Sequence, residues 1–132
     1  MSETVSGGCL CGACRYEAMG EPIDVRVCHC RKCQKATGAP IYARVRMPGE
    51  AVTIRGPVGW YPSSDAVLRG FCPTCGTSLF SKRADGSTIS LLMGSLDEPD
   101  HFAPSEHIWV SSKQAWLTLT DDLPCYEEGP PV

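Results

Sequence analysis

The sequence contains no uninterrupted apolar run that approaches the roughly 18 residues of a membrane-spanning helix. Its start, MSETVSGG, lacks the positive charge and the apolar stretch of a secretory signal peptide. Together these absences predict a soluble, cytoplasmic protein. There is also no excess of positive charge, because 12 Lys and Arg stand against 15 Asp and Glu, for a formal net charge of −3. Nucleic acid and anionic membrane surfaces are therefore disfavoured as partners.

Internal repeats, low-complexity segments and a long linker are absent as well, so the 132 residues predict a single domain, 1–132. A hydrophobic content of 42% and a charged content of 20% are ordinary for a globular chain. The 13 Gly and 11 Pro are spread over the whole length rather than gathered in one segment. This distribution favours many short elements joined by tight turns, and it predicts an irregular, mostly β domain.

Six short segments have the composition and the bounding turns of β-strands. They are ACRYEA (13–18), IYARVRM (41–47), AVTIRG (51–56), AVLRGFC (66–72), SLFSKR (78–83) and TISLLMG (88–94). Alternation is clearest in the second, where Val45 and Met47 are predicted to lie on one face and Arg44 on the other. RKCQKA (31–36) and SSKQAW (111–116) each predict a short helical turn.

What the sequence has in abundance is cysteine, with nine residues. In a reducing cytoplasm, an odd number of cysteines favours metal ligands over a disulfide framework. Eight of them fall in three clusters, CLCGAC (9–14), CHCRKC (28–33) and CPTCG (72–76). The last is a zinc-knuckle pattern, in which a C-x-x-C followed by Gly turns tightly enough for both sulfurs to reach one ion. Three such clusters in one short chain are a strong indication of zinc.

Two ligand sets account for most of these cysteines. We name them the four-cysteine cluster (Cys9, Cys11, Cys72 and Cys75) and the cysteine trio (Cys28, Cys30 and Cys33). In one arrangement the four-cysteine cluster closes a structural zinc site, and the trio holds a second zinc with one coordination position open. In the other, Cys14 joins the trio and both sites are closed. On an extended segment Cys14 differs in parity from Cys9, but Gly12 can reverse the chain, so the spacing leaves both arrangements open.

At these motifs the sequence resembles the glutathione-dependent formaldehyde-activating enzyme family, also called the GFA or centromere-protein-V domain family. The resemblance runs through GGCLCGACRYE (7–17), CHCRKCQKATGAP (28–40), FCPTCGTSLF (71–80), HIWVSSKQAW (107–116) and DDLPCYEE (121–128). It implies an Mss4-like fold, a twisted, mostly β domain with short helical turns built around zinc. It also implies two zincs per chain, a structural one on the four-cysteine cluster and a catalytic one on the trio. The position of Cys14 is often a small apolar residue in such sequences, which favours the open arrangement.

The resemblance further implies a zinc-dependent carbon–sulfur lyase that reversibly forms S-hydroxymethylglutathione from glutathione and formaldehyde. The chemistry of the trio agrees, because a zinc held by three thiolates activates water poorly but accepts a fourth sulfur readily. The alternative is a non-enzymatic module for structure or interaction, in which two closed Cys₄ sites each hold a zinc.

Glutathione carries two carboxylates, so a site that binds it should offer cations. Arg31, Lys32 and Lys35 lie beside the trio and are the candidate glutathione contacts. They fit equally well a solvated face that only offsets the thiolate charge.

Several other side chains have expected roles that are mainly structural. His29 lies between two ligand cysteines and is expected to support them rather than to bind the metal itself. His107 and Trp109 alternate along HIWV and are expected to pack against the sheet. Trp116 is expected in the core.

Overall fold

The computed structural model of the chain describes residues 3–129. Within this range the backbone forms ten strands, one α-helix and four short 3₁₀ turns. The strands are β1 (Thr4–Gly8), β2 (Arg15–Met19), β3 (Asp24–Cys28), β4 (Tyr42–Pro48), β5 (Val52–Arg55), β6 (Gly59–Pro62), β7 (Val67–Phe71), β8 (Ser78–Arg83), β9 (Thr88–Leu92) and β10 (Glu106–Ile108). The helix is α1 (Arg31–Thr37), and the 3₁₀ turns are Gly49–Ala51, Met93–Ser95, Pro99–His101 and Val110–Ser112. Over the described range, no helix has both the length and the apolar character needed to cross a membrane.

The strands are arranged in two sheets. Three of them form an antiparallel sheet in the order β1-β2-β5. The other seven form a sheet in the order β10-β3-β4-β9-β8-β7-β6, antiparallel except for the parallel pairing of β10 with β3. The mostly β fold predicted from the sequence is confirmed.

The hydrophobic core lies between the two sheets. Val45, Met47 and Leu91 of the large sheet have no exposed surface. Tyr16 of the small sheet meets Phe80 of the large sheet edge-on, with 5.2 Å between the ring centroids. The burial of Val45 and Met47 agrees with the alternation predicted for β4, since the arginine between them lies on the other face.

The sequence pattern predicts six of the ten strands in the described range. Each of the six predicted segments overlaps a strand, whereas β1, β3, β6 and β10 are not predicted. β1 contains two glycines, β6 ends on a proline and β10 has three residues, all of which weaken a strand pattern.

The helical turn predicted at 31–36 is part of α1. The one predicted at 111–116 is wrong beyond residue 112, because Lys113 takes extended backbone angles; Trp116 is 66% exposed, so its expected place in the core is also wrong.

An ion cluster lies on the face of β3 and β4 that is turned away from the core. Asp24 accepts hydrogen bonds from Arg44 (3.1 Å) and from Nε of Arg46 (2.9 Å), and Arg26 lies 3.5 Å from it. Only 12% of the Asp24 side chain is exposed. Burial by itself raises the pKa of this carboxyl, but the hydrogen bond from Arg46 and the nearby arginine charges outweigh burial and hold the pKa below its usual value.

Asp24→Asn is expected to lower the free energy of unfolding by about 3 kcal/mol at pH 7, because three half-buried arginines lose their shared counter-charge. Since the folded-state pKa is lowered, the contribution of Asp24 is complete above the unfolded pKa of about 4 and is lost as the pH falls through the folded-state value. Urea unfolding at pH 7 and at decreasing pH measures this, and the gap to wild type should narrow in acid. Asp65→Asn, at an exposed position, is the control; equal losses in both variants would contradict the prediction.

Candidate functional site

The four-cysteine cluster is assembled from two turns that are distant in sequence. The loop after β1 supplies Cys9 and Cys11, and the turn between β7 and β8 supplies Cys72 and Cys75. The four Sγ atoms lie within 4.8 Å of one another. The Cys9–Cys11 and Cys11–Cys72 sulfur separations are 3.7 and 3.8 Å. An ion about 2.3 Å from each of four tetrahedral sulfurs leaves about 3.8 Å between the sulfurs, so this donor set has the dimensions of a zinc site.

The C-x-x-C turn is shaped by the residues that follow it. Gly76 has a φ of 82°, in the left-handed region that favours glycine, and its N–H donates to the carbonyl of Cys72 at 2.8 Å. The hydroxyl of Thr77 lies 3.2 Å from the Sγ of Cys75. Hydrogen bonds from the hydroxyl and the backbone of Thr77 lower the pKa of Cys75 to about 5. The turn is therefore prepared to hold a thiolate.

Cys14 lies beside the four-cysteine cluster and not with the trio. Gly12, at a φ of 83°, reverses the chain, so that the Cys14 N–H donates to the Sγ of Cys9 at 3.2 Å. The Cys14 thiol is 1% exposed, and burial, with a further contribution from Cys72, raises its pKa to about 12. The thiol therefore stays neutral. The arrangement in which Cys14 closes the trio is not the one the chain forms, and the closed-module alternative loses the ligand on which it depended.

The cysteine trio lies where β3 leads into α1. Cys28 ends β3, Cys30 is the N-cap of α1 and accepts the N–H of Cys33 at 3.4 Å, and Cys33 lies in the first turn. The three Sγ atoms lie within 4.8 Å of one another, and within residues 3–129 no fourth Cys, His, Asp or Glu atom joins them. This geometry suits a metal that is held by three sulfurs and has a further position for another ligand.

The sulfurs of the trio compete for negative charge. Hydrogen bonds from Cys28 and Cys33 lower the pKa of Cys30 to about 2, whereas the contact with Cys30 raises the pKa of Cys28. Arg69 adds a positive charge, since its Nη2 lies 3.8 Å from the Sγ of Cys33. Three thiolates at this spacing repel one another unless a cation lies among them. The donor set therefore matches a divalent ion that prefers sulfur, as zinc does.

Apolar side chains surround the trio. Cys28 packs against Tyr42 and Ile108, and Trp109 and Tyr126 contact the same group. Trp109 has a φ of 60°, an uncommon conformation for a bulky residue. Such conformations occur preferentially at functional sites, where the surrounding structure holds them. These side chains form an apolar wall on one side of the trio.

Three cations border a cavity next to the trio. Lys32, Lys35 and Arg69 line a space of about 300 Å³ together with Tyr61 and Ser63. None of the three cations forms an ion pair with a carboxylate in the described part of the chain. Within a protein of net negative charge, this group of cations is chemically suited to an anionic ligand.

The cation set differs from the one predicted from the sequence. Arg31 donates to Oε1 of Gln34 at 2.5 Å and borders a separate cavity with Gln114 and Trp116. Arg69 takes its place at the trio. It lies on β7, 36 residues from Cys33, and its only sequence signal was a charge within a largely apolar strand.

Further space continues along α1 from the cationic cavity. A cavity of about 290 Å³ lies between Arg69, Tyr42 and Thr37. Tyr42 and Thr37 also border a groove of about 770 Å³ that extends to Leu10 and Ile41. These volumes are in the range of small-molecule sites, about 300 to 1,000 Å³. A ligand larger than a simple aldehyde therefore has room next to Arg69 and Tyr42, the two residues through which this space adjoins the trio.

His29 is held by another histidine. Its ring nitrogen Nε2 lies 2.9 Å from Nδ1 of His107, whose Nε2 lies 2.7 Å from Oδ2 of Asp121. Both rings are buried, as expected for His107. His29 does not join the sulfur group of the trio.

Comparison with known proteins identifies a family match that covers most of the chain. Residues 4–112 match the family model described as glutathione-dependent formaldehyde-activating enzyme. A curated relative, an uncharacterized lyase of Schizosaccharomyces pombe, is 34% identical over 80 residues, which are 61% of this chain. The chain spans 58% of the length of this relative.

A solved structure resembles the fold. It is the crystal structure of a Rhodobacter sphaeroides protein, with a TM-score of 0.55 and 26% sequence identity. The match covers 75% of this chain and 91% of the other. It agrees with the mostly β architecture described above.

Proposed function

The chain belongs to the glutathione-dependent formaldehyde-activating enzyme family, since that family's model matches residues 4–112, and on this premise we propose that it is a zinc-dependent carbon–sulfur lyase. In this proposal its reaction is the reversible formation of S-hydroxymethylglutathione from glutathione and formaldehyde. The similarity to a relative named as a lyase supports the reaction class. One observation carries the proposal: among the residues that the structure describes, three converging cysteine sulfurs have no fourth protein ligand and lie near cations that form no ion pair.

The two cysteine sets have different tasks in this proposal. The four-cysteine cluster holds a structural zinc, because its sulfurs provide all four tetrahedral ligands. Cys28, Cys30 and Cys33 hold the catalytic zinc. When bound there, zinc supplies an open coordination position at which a substrate sulfur is held as the thiolate. The cysteines act as ligands in this reaction and not as nucleophiles.

The reaction itself balances without an oxidant or reductant. In the forward direction the glutathione sulfur forms a bond to the carbonyl carbon of formaldehyde, and the C=O π electrons move to oxygen. The thiol proton is released and the oxygen gains one, so the product is the sum of the two reactants. The residues of the chain orient the thiol, and the apolar wall at Tyr42 and Trp109 limits water beside it.

Arg69, Lys32 and Lys35 bind the carboxylates of glutathione in the proposed complex. Arg69 lies close enough to Cys33 to hold a substrate whose sulfur is at the trio. The two lysines lie on α1 and line the same cavity. Arg31 has a smaller part, because its guanidinium is engaged with Gln34.

Arg69→Gln is expected to weaken glutathione binding about tenfold, because a charge-assisted hydrogen bond to a carboxylate contributes about 1.5 kcal/mol. Binding of 2-mercaptoethanol, which has no carboxylate, should be little changed. Calorimetric titration of both thiols into the zinc-containing protein measures the difference. Arg83→Gln is the matched control, since Arg83 is exposed at the end of β8. If both thiols bound equally more weakly, Arg69 would support the cysteine trio and would not bind the substrate carboxylate.

The proposed function is tested by mixing glutathione and formaldehyde with the two-zinc protein. The exchange rate between free formaldehyde and S-hydroxymethylglutathione, followed by NMR, should rise in proportion to protein concentration. Zinc analysis should give two equivalents per chain. A protein that neither accelerates the exchange nor binds glutathione would overturn the proposal.

A further inference from the structure

Three side chains form a hydrogen-bonded chain that leads from the surface to the trio. Asp121 lies 2.7 Å from Nε2 of His107, and Nδ1 of His107 lies 2.9 Å from Nε2 of His29. Asp121 is 46% exposed, while the two histidines are buried, at 4% and 0% exposure. In sequence, His29 stands between two ligand cysteines of the trio. The chain of contacts therefore ends on the segment that presents those ligands.

The direction of these hydrogen bonds follows from the carboxylate at one end. Asp121 can only accept when ionised, so Nε2 of His107 donates to it, and in the tautomer with its proton on Nε2 the Nδ1 of His107 is an acceptor. His29 then donates to His107 through Nε2. Each ring is thus fixed in one tautomer and one orientation.

The backbone connects the same elements. β10 lies parallel to β3 with Ile108 opposite Cys28, and the His29 N–H donates to the carbonyl of Ile108 at 3.0 Å. The C-terminal segment returns along β10, where the Tyr126 N–H donates to the carbonyl of His107 at 2.9 Å. Backbone hydrogen bonds therefore connect the ligand segment to β10, and β10 to the C-terminal segment.

Asp121, the carboxylate among these three hydrogen-bonded side chains, lies beyond the residues that match the family model. The match ends at residue 112, and Asp121 follows it. Without Asp121, the N–H of His107 that faces it would lose its acceptor in a largely buried position, which costs free energy. The histidine pair would then be free to change its tautomers and to turn.

We propose that Asp121, acting through His107 and His29, is a positioning residue that fixes the ligand segment of the cysteine trio and so sets the affinity of the trio for zinc. The inference rests on the proposed function, because it requires that the trio hold a metal. Removing a group that hydrogen-bonds directly to a metal ligand typically changes metal affinity by about 10- to 100-fold; Asp121 acts through two histidines, so the lower end of this range is expected.

The experiment compares zinc affinities of the two cysteine sets in the full chain by competition with a chromophoric chelator. Asp121→Ala should weaken zinc binding at the trio about tenfold and leave the four-cysteine cluster unchanged. Asp121→Asn, which keeps an acceptor oxygen without the charge, should give an intermediate loss. Asp122→Asn, one residue away and also exposed, should bind both zincs as wild type does. The melting temperature of the zinc-containing variants is measured alongside.

The outcomes separate this inference from the proposed function. If wild type binds two zincs and Asp121→Ala binds both equally tightly, the inference is overturned while the proposed function stands. It is also overturned if both cysteine sets weaken together or if Asp122→Asn has the same effect, because the cause is then general stability or net charge. If wild type binds a single zinc, the proposed function and the inference fail together. A selective, graded loss at the trio supports the positioning role.

Discussion

Replacing Cys30 with serine is expected to bring the exchange between glutathione, formaldehyde and their adduct down to its uncatalysed rate, a loss of about 100-fold or more. Two sulfurs do not hold a catalytic zinc, which needs three protein ligands. The substitution is also expected to leave the fold intact. Cys30 is the N-cap of α1 and accepts the N–H of Cys33, and serine is among the best N-cap residues. The loss of activity therefore separates from the loss of the helix.

The rate measurement needs a zinc analysis and a matched control. Cys30→Ser should contain one zinc per chain, should remain folded by circular dichroism and should not bind glutathione in a calorimetric titration. Cys125→Ser makes the same substitution at an exposed thiol and should keep the wild-type rate and both zincs. Undiminished turnover by Cys30→Ser would remove the trio from the mechanism.

Cys72→Ser is expected to have the largest effect on stability, lowering the free energy of unfolding by about 5 kcal/mol or more. Structural zinc contributes about 10 to 16 kcal/mol of apparent binding free energy in small zinc domains, whereas a whole domain is stable by only about 5 to 15 kcal/mol. Cys72 has no exposed surface, so a serine there also buries a hydroxyl without its metal. We expect the variant to be unfolded or to lose its cooperative melting transition.

Thermal unfolding and zinc content together test this expectation. Cys14→Ala is the matched control, because it removes a buried sulfur from the same neighbourhood and leaves all four ligands in place. Its cost should be about 1 to 2 kcal/mol, as for other small truncations in a core. Equal destabilisation by the two substitutions would show that packing, and not a metal, holds this region together.

The parts of the fold that the sequence predicts are those with local signals. Alternation located β4, and turn residues bounded the other five predicted strands. β3 was missed although DVRVC alternates polar and apolar residues, whereas β10 is identifiable as a strand only through its pairing with β3. Cys14 shows a similar limit. The direction of its thiol depends on the left-handed conformation of Gly12, and the odd or even position of Cys14 relative to Cys9 does not predict it.

The candidate site, like the fold, combines residues that have a local sequence signal with residues that have none. Cysteine spacing grouped the seven candidate ligands into the sets whose sulfurs converge in the structure. Arg69 and Asp121 carry no such motif. Arg69 meets Cys33 through the packing of β7 near α1, and Asp121 meets His107 through the return of the C-terminal segment. Contacts between residues far apart in sequence depend on tertiary structure, which a single sequence does not display.

The separation of Cys11 and Cys72 by 61 positions has a consequence for the order in which the protein assembles. A cross-link that closes a loop of this length removes about 4 kcal/mol of chain entropy from the unfolded state. The trio, at residues 28 to 33, lies inside that loop. A metal at the four-cysteine cluster would therefore shorten the search that brings β3, α1 and β4, which all lie within this loop, together. Metallation is expected to be sequential, with the outer loop closed first and the inner site completed within it.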